Sequence, residues 1–239
     1  MLDFRLIEDA VDIWHLVLDE THADRSVLAP DEIAWADRLK VDDKRDEFVA
    51  GRAQLRTILG RYLDQQPAEI AFAYGEHGKP RLRDNPEVNF NLSHSYNRGL
   101  LAVAANTTLG IDLERTDPRK QLADIAKRFF AEEEHGAMMK LREELRSAAF
   151  FRFWAHKEAY LKALGTGLSF PSNRFAIGAD AAGPFTLIRS EAPDSEGPWQ
   201  FSEITAHRDY AAALCYRGDK RWLRHCAPSS CLDRPPASS

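Results

Sequence analysis

The sequence predicts two consecutive α/β halves, with helices packed on mixed or antiparallel sheets. Three observations predict it. A helical period runs through residues 44–63, and a second runs through AAFFRFWAHKEAYLKAL near residue 160. Period-two segments separate these helices. The chain has 239 residues, 44% of them apolar, which is long enough to bury a sizeable core.

The elements follow in chain order. Phe48, Leu55, Leu59 and Tyr62 share one face of the first helix. Gly75-Glu76-His77-Gly78 punctuates a hairpin between IAFAY and KPRL. Residues 88–93 alternate apolar and polar, residues 100–105 form an apolar run, and residues 109–114 alternate again, each reading as a strand. Helices are expected over 122–130 and 131–145. A third begins with Ser147 as N-cap and stops at Gly165-Thr166-Gly167, where glycine accepts the positive φ of a helix end. Strands return at 185–189, 200–205 and 210–216. The seam falls near Asn106, giving halves of residues 1–105 and 106–226, and 227–239 reads as a frayed tail rich in Pro and Ser.

Composition excludes several classes. No apolar run is long enough to span a membrane, and the acidic N-terminal segment is unlike a signal peptide. The net charge of −5 argues against a dedicated nucleic-acid binder. Cys215, Cys226 and Cys231 form no CxxC pair, so neither a disulfide framework nor a zinc site is expected, and a reducing cytoplasm is the simplest home.

Three acids carry the chemistry. Asp112 and Glu114 fall on one face of a strand, with Ile111 and Leu113 on the other. From spacing alone, two solvated acids on an amphipathic strand is the plainer reading. Glu158 shifts the balance. It shares a helix face with Trp154 and Lys162 in a strongly apolar neighbourhood, where a buried acid and lysine need partners. Adjacent carboxylates raise one another's pKa unless a cation compensates, and a hard divalent ion such as Mg²⁺ suits them. Ser93 and His94 end the run NFNLSHS, which reads as an anion site or a hydroxyl-bonded turn. They do not read as a hydrolytic triad, because sequence neighbours on a strand point apart. Arg45, Arg52 and Arg56 make a stripe on the first helix that is either solvated or able to grip phosphate.

NFNLSHS, GIDLE, RFFAEEE and FWAHKEAYLKALGTGLSF, in this order, resemble the 4′-phosphopantetheinyl transferases of the surfactin-synthetase-activating type. The resemblance implies an α+β pseudo-dimer. Each of its similar halves is a small sheet on a long helix, and coenzyme A lies in the cleft between them. It implies transfer of phosphopantetheine to a serine of an apo acyl, peptidyl or aryl carrier protein, with a monomer sufficing. By motif position, Asp112, Glu114 and Glu158 would hold Mg²⁺, or Mn²⁺, which takes the same ligands. Lys162, Lys157, Ser93, His94 and Lys79 would meet coenzyme A, with Arg45 and Arg52 in the basic N-terminal region. Glu158 and Glu134 would be the candidates for general base, with Lys162 beside the phosphates. Phe129, Phe130, Met138, Met139 and Lys140 are either a carrier-docking surface or core. A Mg²⁺-dependent hydrolase and a non-catalytic coenzyme A binder are the rival readings.

Overall fold

The computed structural model describes residues 4–117, 122–179, 184–193 and 195–227. The chain opens with β1 (Ala10–Val17), a short α1 (Pro30–Ala36) and the long α2 (Asp42–Leu63). A small hairpin follows, β2 (Phe72–Tyr74) and β3 (Pro80–Leu82), then β4 (Val88–Ser95) and β5 (Arg98–Ala105). The pattern then repeats. β6 (Leu109–Arg115) leads into short helices α3 (Leu122–Phe129) and α4 (Glu132–Met139) and the long α5 (Glu143–Leu164). A second hairpin, β7 (Phe175–Ala179) and β8 (Phe185–Ser190), precedes β9 (Trp199–Glu203), β10 (Tyr210–Arg217) and a final β11 (Trp222–Cys226).

Strand order shows the internal symmetry. In the first half, β1 pairs antiparallel with β5, and β5 with β4. In the second half, β6 pairs antiparallel with β10, and β10 with β9. Each sheet carries a 22-residue helix on one face. The chain is a pseudo-dimer within one polypeptide.

Three apolar layers hold it. Leu55, Ile58 and Leu59 of α2 pack on Trp14, Leu16, Phe90 and Val103 of the first sheet. Phe150, Phe153, Tyr160 and Leu161 of α5 pack with Phe175, Phe185 and Phe201. Between the halves, Val11, Ile13, Leu100 and Ala102 meet Ile111, Leu113, Ile204 and Leu214. The alternation read in the sequence sends one set of strand residues to a helix and the other to the partner sheet.

Three readings need correction. The division at 106–226 places β11 in the second half, but β11 runs parallel to β1 and completes the first sheet. β11 is short, and its pairing with β1 spans nearly the whole chain, so no local pattern announces it. Helix α5 begins at Glu143, so Ser147 lies inside it; the helix expected over 131–145 ends at Met139. β1, α1 and β7 were not anticipated. The frayed tail lies outside the described residues except for Ala227.

Candidate active site

β6 lies so close to α5 that a Cβ on Gly110 would stand 2.2 Å from the carbonyl oxygen of Ala159. Only glycine permits that approach, and it explains the first residue of GIDLE. Two residues on, Asp112 is 3% exposed and faces α5. Lys162 Nζ donates to its Oδ1 at 2.6 Å and to Ser93 Oγ at 2.8 Å. Ser93 Oγ donates to the same Oδ1 at 3.0 Å. Three elements from both halves thus meet at one carboxylate.

Asp112 Oδ2 is buried with no hydrogen-bond partner. A buried, unsatisfied carboxylate oxygen is costly unless something charged meets it. Trp154 Nε1 donates to Glu114 Oε1 at 3.2 Å. Burial, then the charge of Asp112, pushes Glu114 up to about 7. Glu158 rises to about 6 for the same two reasons. Three desolvated carboxylates set close together, one with an open oxygen, form a donor set suited to a hard cation. Among the described residues, no three His, Cys, Asp or Glu side chains converge as they stand on one metal position. Lys162 and Trp154 occupy Asp112 Oδ1 and Glu114 Oε1 instead.

A cavity of about 230 Å³ lies between α2 and β4, lined by Phe48, Arg52, Leu55, Pro80 and His94. Ser93 and His94 point to opposite sides, Ser93 to the acids and His94 to this cavity. Burial lowers the pKa of His94. Arg52 Nε lies 3.7 Å from Glu32. Arg45 pairs with Asp42 at the start of α2 and does not line the cavity. Lys79 Nζ donates to the carbonyls of Leu109 at 2.9 Å and Ala163 at 3.1 Å, tying the hairpin to both β6 and α5. Burial brings it down to about 8. It also borders a larger cavity of about 360 Å³ with Arg81, Asn89 and Gly165.

Three residues lie in surroundings other than those expected. Glu134 is 1% exposed and binds Lys157 through both oxygens at 2.7 Å, along with the amides of Ala131 and Ile177. A carboxylate so enclosed is occupied by a structural ion pair, which favours Glu158 over Glu134 as the candidate base. Lys157 gives its remaining bond to the Phe175 carbonyl at 3.1 Å, so all three of its protons are held within the core. Arg56 leaves the basic stripe, because it is buried against Glu32 at 2.6 Å and against the carbonyls of Pro67 and Ile70. On the suggested docking surface, Phe130 and Met138 are core, while Met139 is exposed.

Sequence reasoning missed Trp154 as a partner of Glu114, and missed Asn91 and Ser95. The alternation of NFNLSHS held that signal, because it places Asn91, Ser93 and Ser95 on one face.

The 4′-phosphopantetheinyl transferase superfamily model matches residues 108–215. The 4′-phosphopantetheinyl transferase HetI of Nostoc sp. is 41% identical over 220 residues, covering 89% of this chain and 90% of its own. The 4′-phosphopantetheinyl transferase Sfp of Bacillus subtilis is 27% identical over 197 residues, covering 82% and 85%. A solved holo-(acyl-carrier-protein) synthase from Bacillus anthracis, in complex with CoA (3′,5′-ADP), aligns with 46% of this chain and 96% of its own at 24% identity and a TM-score of 0.40. On the likeness to HetI, which spans nearly the whole of both chains, this protein belongs to the 4′-phosphopantetheinyl transferase superfamily.

Proposed function

We propose that this chain moves the 4′-phosphopantetheine group of coenzyme A to a serine hydroxyl of an apo acyl, peptidyl or aryl carrier protein. The serine oxygen forms a bond to the phosphorus that bears pantetheine. The diphosphate P–O bond breaks, and adenosine 3′,5′-bisphosphate leaves. The observation that carries this reading is the meeting of Asp112, Glu114, Glu158 and Lys162 with Ser93 of the first half, whose chain neighbour His94 lines a cavity with Arg52.

Phosphoryl transfer needs positioning and charge neutralisation more than covalent chemistry. Arg52 and His94 suit the nucleotide phosphate, with Phe48 and Pro80 offering apolar faces beside them. Lys162 is the cation nearest the acids and suits the diphosphate. Ser93 orients Asp112 and Lys162 rather than gripping phosphate itself. Glu158 is the candidate to accept the serine proton, directly or through water. Asp112, Glu114 and Glu158 would hold a divalent ion, Mg²⁺ or Mn²⁺, which when bound neutralises diphosphate charge and polarises phosphorus.

In this reading the first half, residues 1–105 with β11, holds the nucleotide end of coenzyme A. The second half supplies the acids and Lys162. A monomer contains the whole site. Among the described residues no helix is long and apolar enough to cross a membrane, and a cytoplasmic home suits substrates such as coenzyme A.

Intact-mass spectrometry of an apo carrier protein with enzyme, coenzyme A and Mg²⁺, with an EDTA control, tests the reading. A gain of one phosphopantetheine that EDTA abolishes is expected. Consumption of coenzyme A with no gain on any carrier type would point instead to a hydrolase. Coenzyme A binding with neither would point to a binding module.

A further inference from the structure

We propose that Asn91, Ser93 and Ser95 are positioning residues that set the register of the acid strand against the anion-binding strand; the proposal rests on the transfer reading above. Asn91 Oδ1 accepts the amide of Ile111 at 2.8 Å. Ser93 Oγ accepts the amide of Leu113, and Ser95 Oγ the amide of Arg115, each at 3.2 Å. Every rung joins residues 20 apart in sequence, so β4 and β6 run parallel.

β6 is an edge strand of its sheet, and β4 is an edge strand of the other. Every second amide of β6 would otherwise have no ladder partner. The two strands do not join by a backbone ladder. Side chains of β4 take those amides instead, so the two sheets remain separate layers.

The acids are interleaved with the rungs. Asp112 lies between the amides held by Asn91 and Ser93, and Glu114 between those held by Ser93 and Ser95. On the other strand, His94 lies between Ser93 and Ser95 and faces the cavity with Arg52. The rungs therefore fix where the carboxylates stand relative to the groups that grip the substrate.

The apolar layer between the sheets cannot do this alone. Val11, Ile13, Leu100 and Ala102 against Ile111, Leu113 and Leu214 bury surface, but apolar attraction is non-directional and tolerates small slides. Hydrogen bonds restrict such slides, since they weaken steeply with misalignment. Loss of a rung should thus show in turnover more than in melting temperature.

The test uses the full chain, with amide hydrogen exchange followed by NMR beside transfer kinetics. In Asn91→Ala, exchange at Ile111 should accelerate, kcat should fall roughly tenfold, and KM for coenzyme A should stay within about twofold. In Ser95→Ala, exchange should accelerate at Arg115 with a smaller fall in kcat, and Ser95→Thr should restore both. Ser95 is only half-buried, so its variants should fold even if Asn91→Ala does not. Accelerated exchange with unchanged kcat would make the rungs purely structural and overturn the proposal. A raised KM at constant kcat would overturn it too, by making Asn91 a coenzyme A contact. If the wild-type protein transfers nothing to any carrier, the functional reading fails and this proposal with it. Unprotected amides in an active enzyme would sink the proposal alone.

Discussion

The two halves share strand order and helix placement, yet they treat one buried aspartate in opposite ways. In the first half, Asp12 on β1 faces α2 and is closed. Arg224 of β11 donates to its Oδ1 at 2.5 Å and to its Oδ2 at 2.7 Å, and Tyr62 donates to Oδ2 at 2.5 Å. Trp14, two residues along, donates to the Tyr62 hydroxyl at 3.0 Å. In the second half, Asp112 on β6 faces α5, and Oδ2 is left open. The residue two along is Glu114, a second carboxylate where the first half has an indole. The returning strand β11 supplies Arg224 to the first half. Among the described residues, nothing equivalent reaches the second. The same scaffold thus makes a structural clasp on one side and an open, mutually repelling acid cluster on the other. Function lies in the site, not in the repeated fold.

Matched substitutions at the two aspartates should break the symmetry most strongly. Asp112→Asn should lower transfer by on the order of a thousandfold, because it removes the charge that holds Lys162 and, in the proposed function, a divalent ion. Its melting temperature should change little, since one member of a repelling trio is gone. Asp12→Asn should leave kcat near wild type while costing about 3 kcal/mol of stability, because it strands a partly buried guanidinium. Thermal melts with the mass-spectrometric transfer assay check both. An Asp12→Asn enzyme that melts normally but cannot transfer would undo the contrast.

The halves also share a device. Glu32 in the first turn of α1 accepts the Ala29 amide, and Glu134 in the first turn of α4 accepts the Ala131 amide. Each then holds a buried cation from the long helix, Arg56 or Lys157. That cation also bonds a carbonyl just before or at the start of the small hairpin, Ile70 or Phe175. Removing one partner of either pair should cost about 3 to 5 kcal/mol. Lys157→Met and Arg56→Met should therefore both unfold at markedly lower urea. Glu134→Gln should lose stability while the folded enzyme keeps its kcat. If Glu134→Gln instead unfolds normally and turns over poorly, Glu134 takes part in the chemistry and the two pairs are not equivalent.

Periodicity made the middle of each half legible, and burial made the rest illegible. Residues 44–63, 88–93 and 109–114 carry strong local patterns, and the structure extends each by a residue or two. β1 escaped because Asp12 and His15 interrupt its apolar run, and Asp12 becomes tolerable only when a strand from the far end of the chain brings Arg224. The acids of the site were legible because GIDLE places two carboxylates on one face of a strand and WAHKEAYLK places Glu158 in a strongly apolar neighbourhood. Glu134 stands in a run of three glutamates that looks solvated, and only its third member turns inward. Arg56 and Arg52 fall on one stripe by spacing, yet the two face different surroundings, one buried and one bordering a cavity. A pattern locates a face of a helix but does not say what that face meets.

A smaller asymmetry concerns the residue preceding each buried cation. In the first half it is Leu55; in the second it is His156, 1% exposed and stacked on Phe185 at 3.9 Å between ring centroids. Its Nδ1 donates to the Arg152 carbonyl at 2.7 Å, and its Nε2 is buried without a partner. Burial holds its pKa at about 4. The unfolded chain takes up this proton near 6.5 and the folded chain only near 4, so the linked stability is full above 6.5 and is lost as pH falls between the two. The loss amounts to about 2 to 3 kcal/mol. Glu114 and Glu158 act with the opposite sign. Their folded pKa values, about 7 and about 6, lie above the ordinary carboxylate value, so without a cation they make the protein less stable as pH rises toward 7. The overlapping windows hide the histidine in the wild-type curve, and a difference is needed. His156→Leu gives the second half the residue of the first. Urea melts from pH 7 to pH 4 in EDTA should show the wild type losing ground to the variant by that amount as pH falls. A constant offset across the range would mean that His156 is not held neutral by the core and that the halves do not differ there.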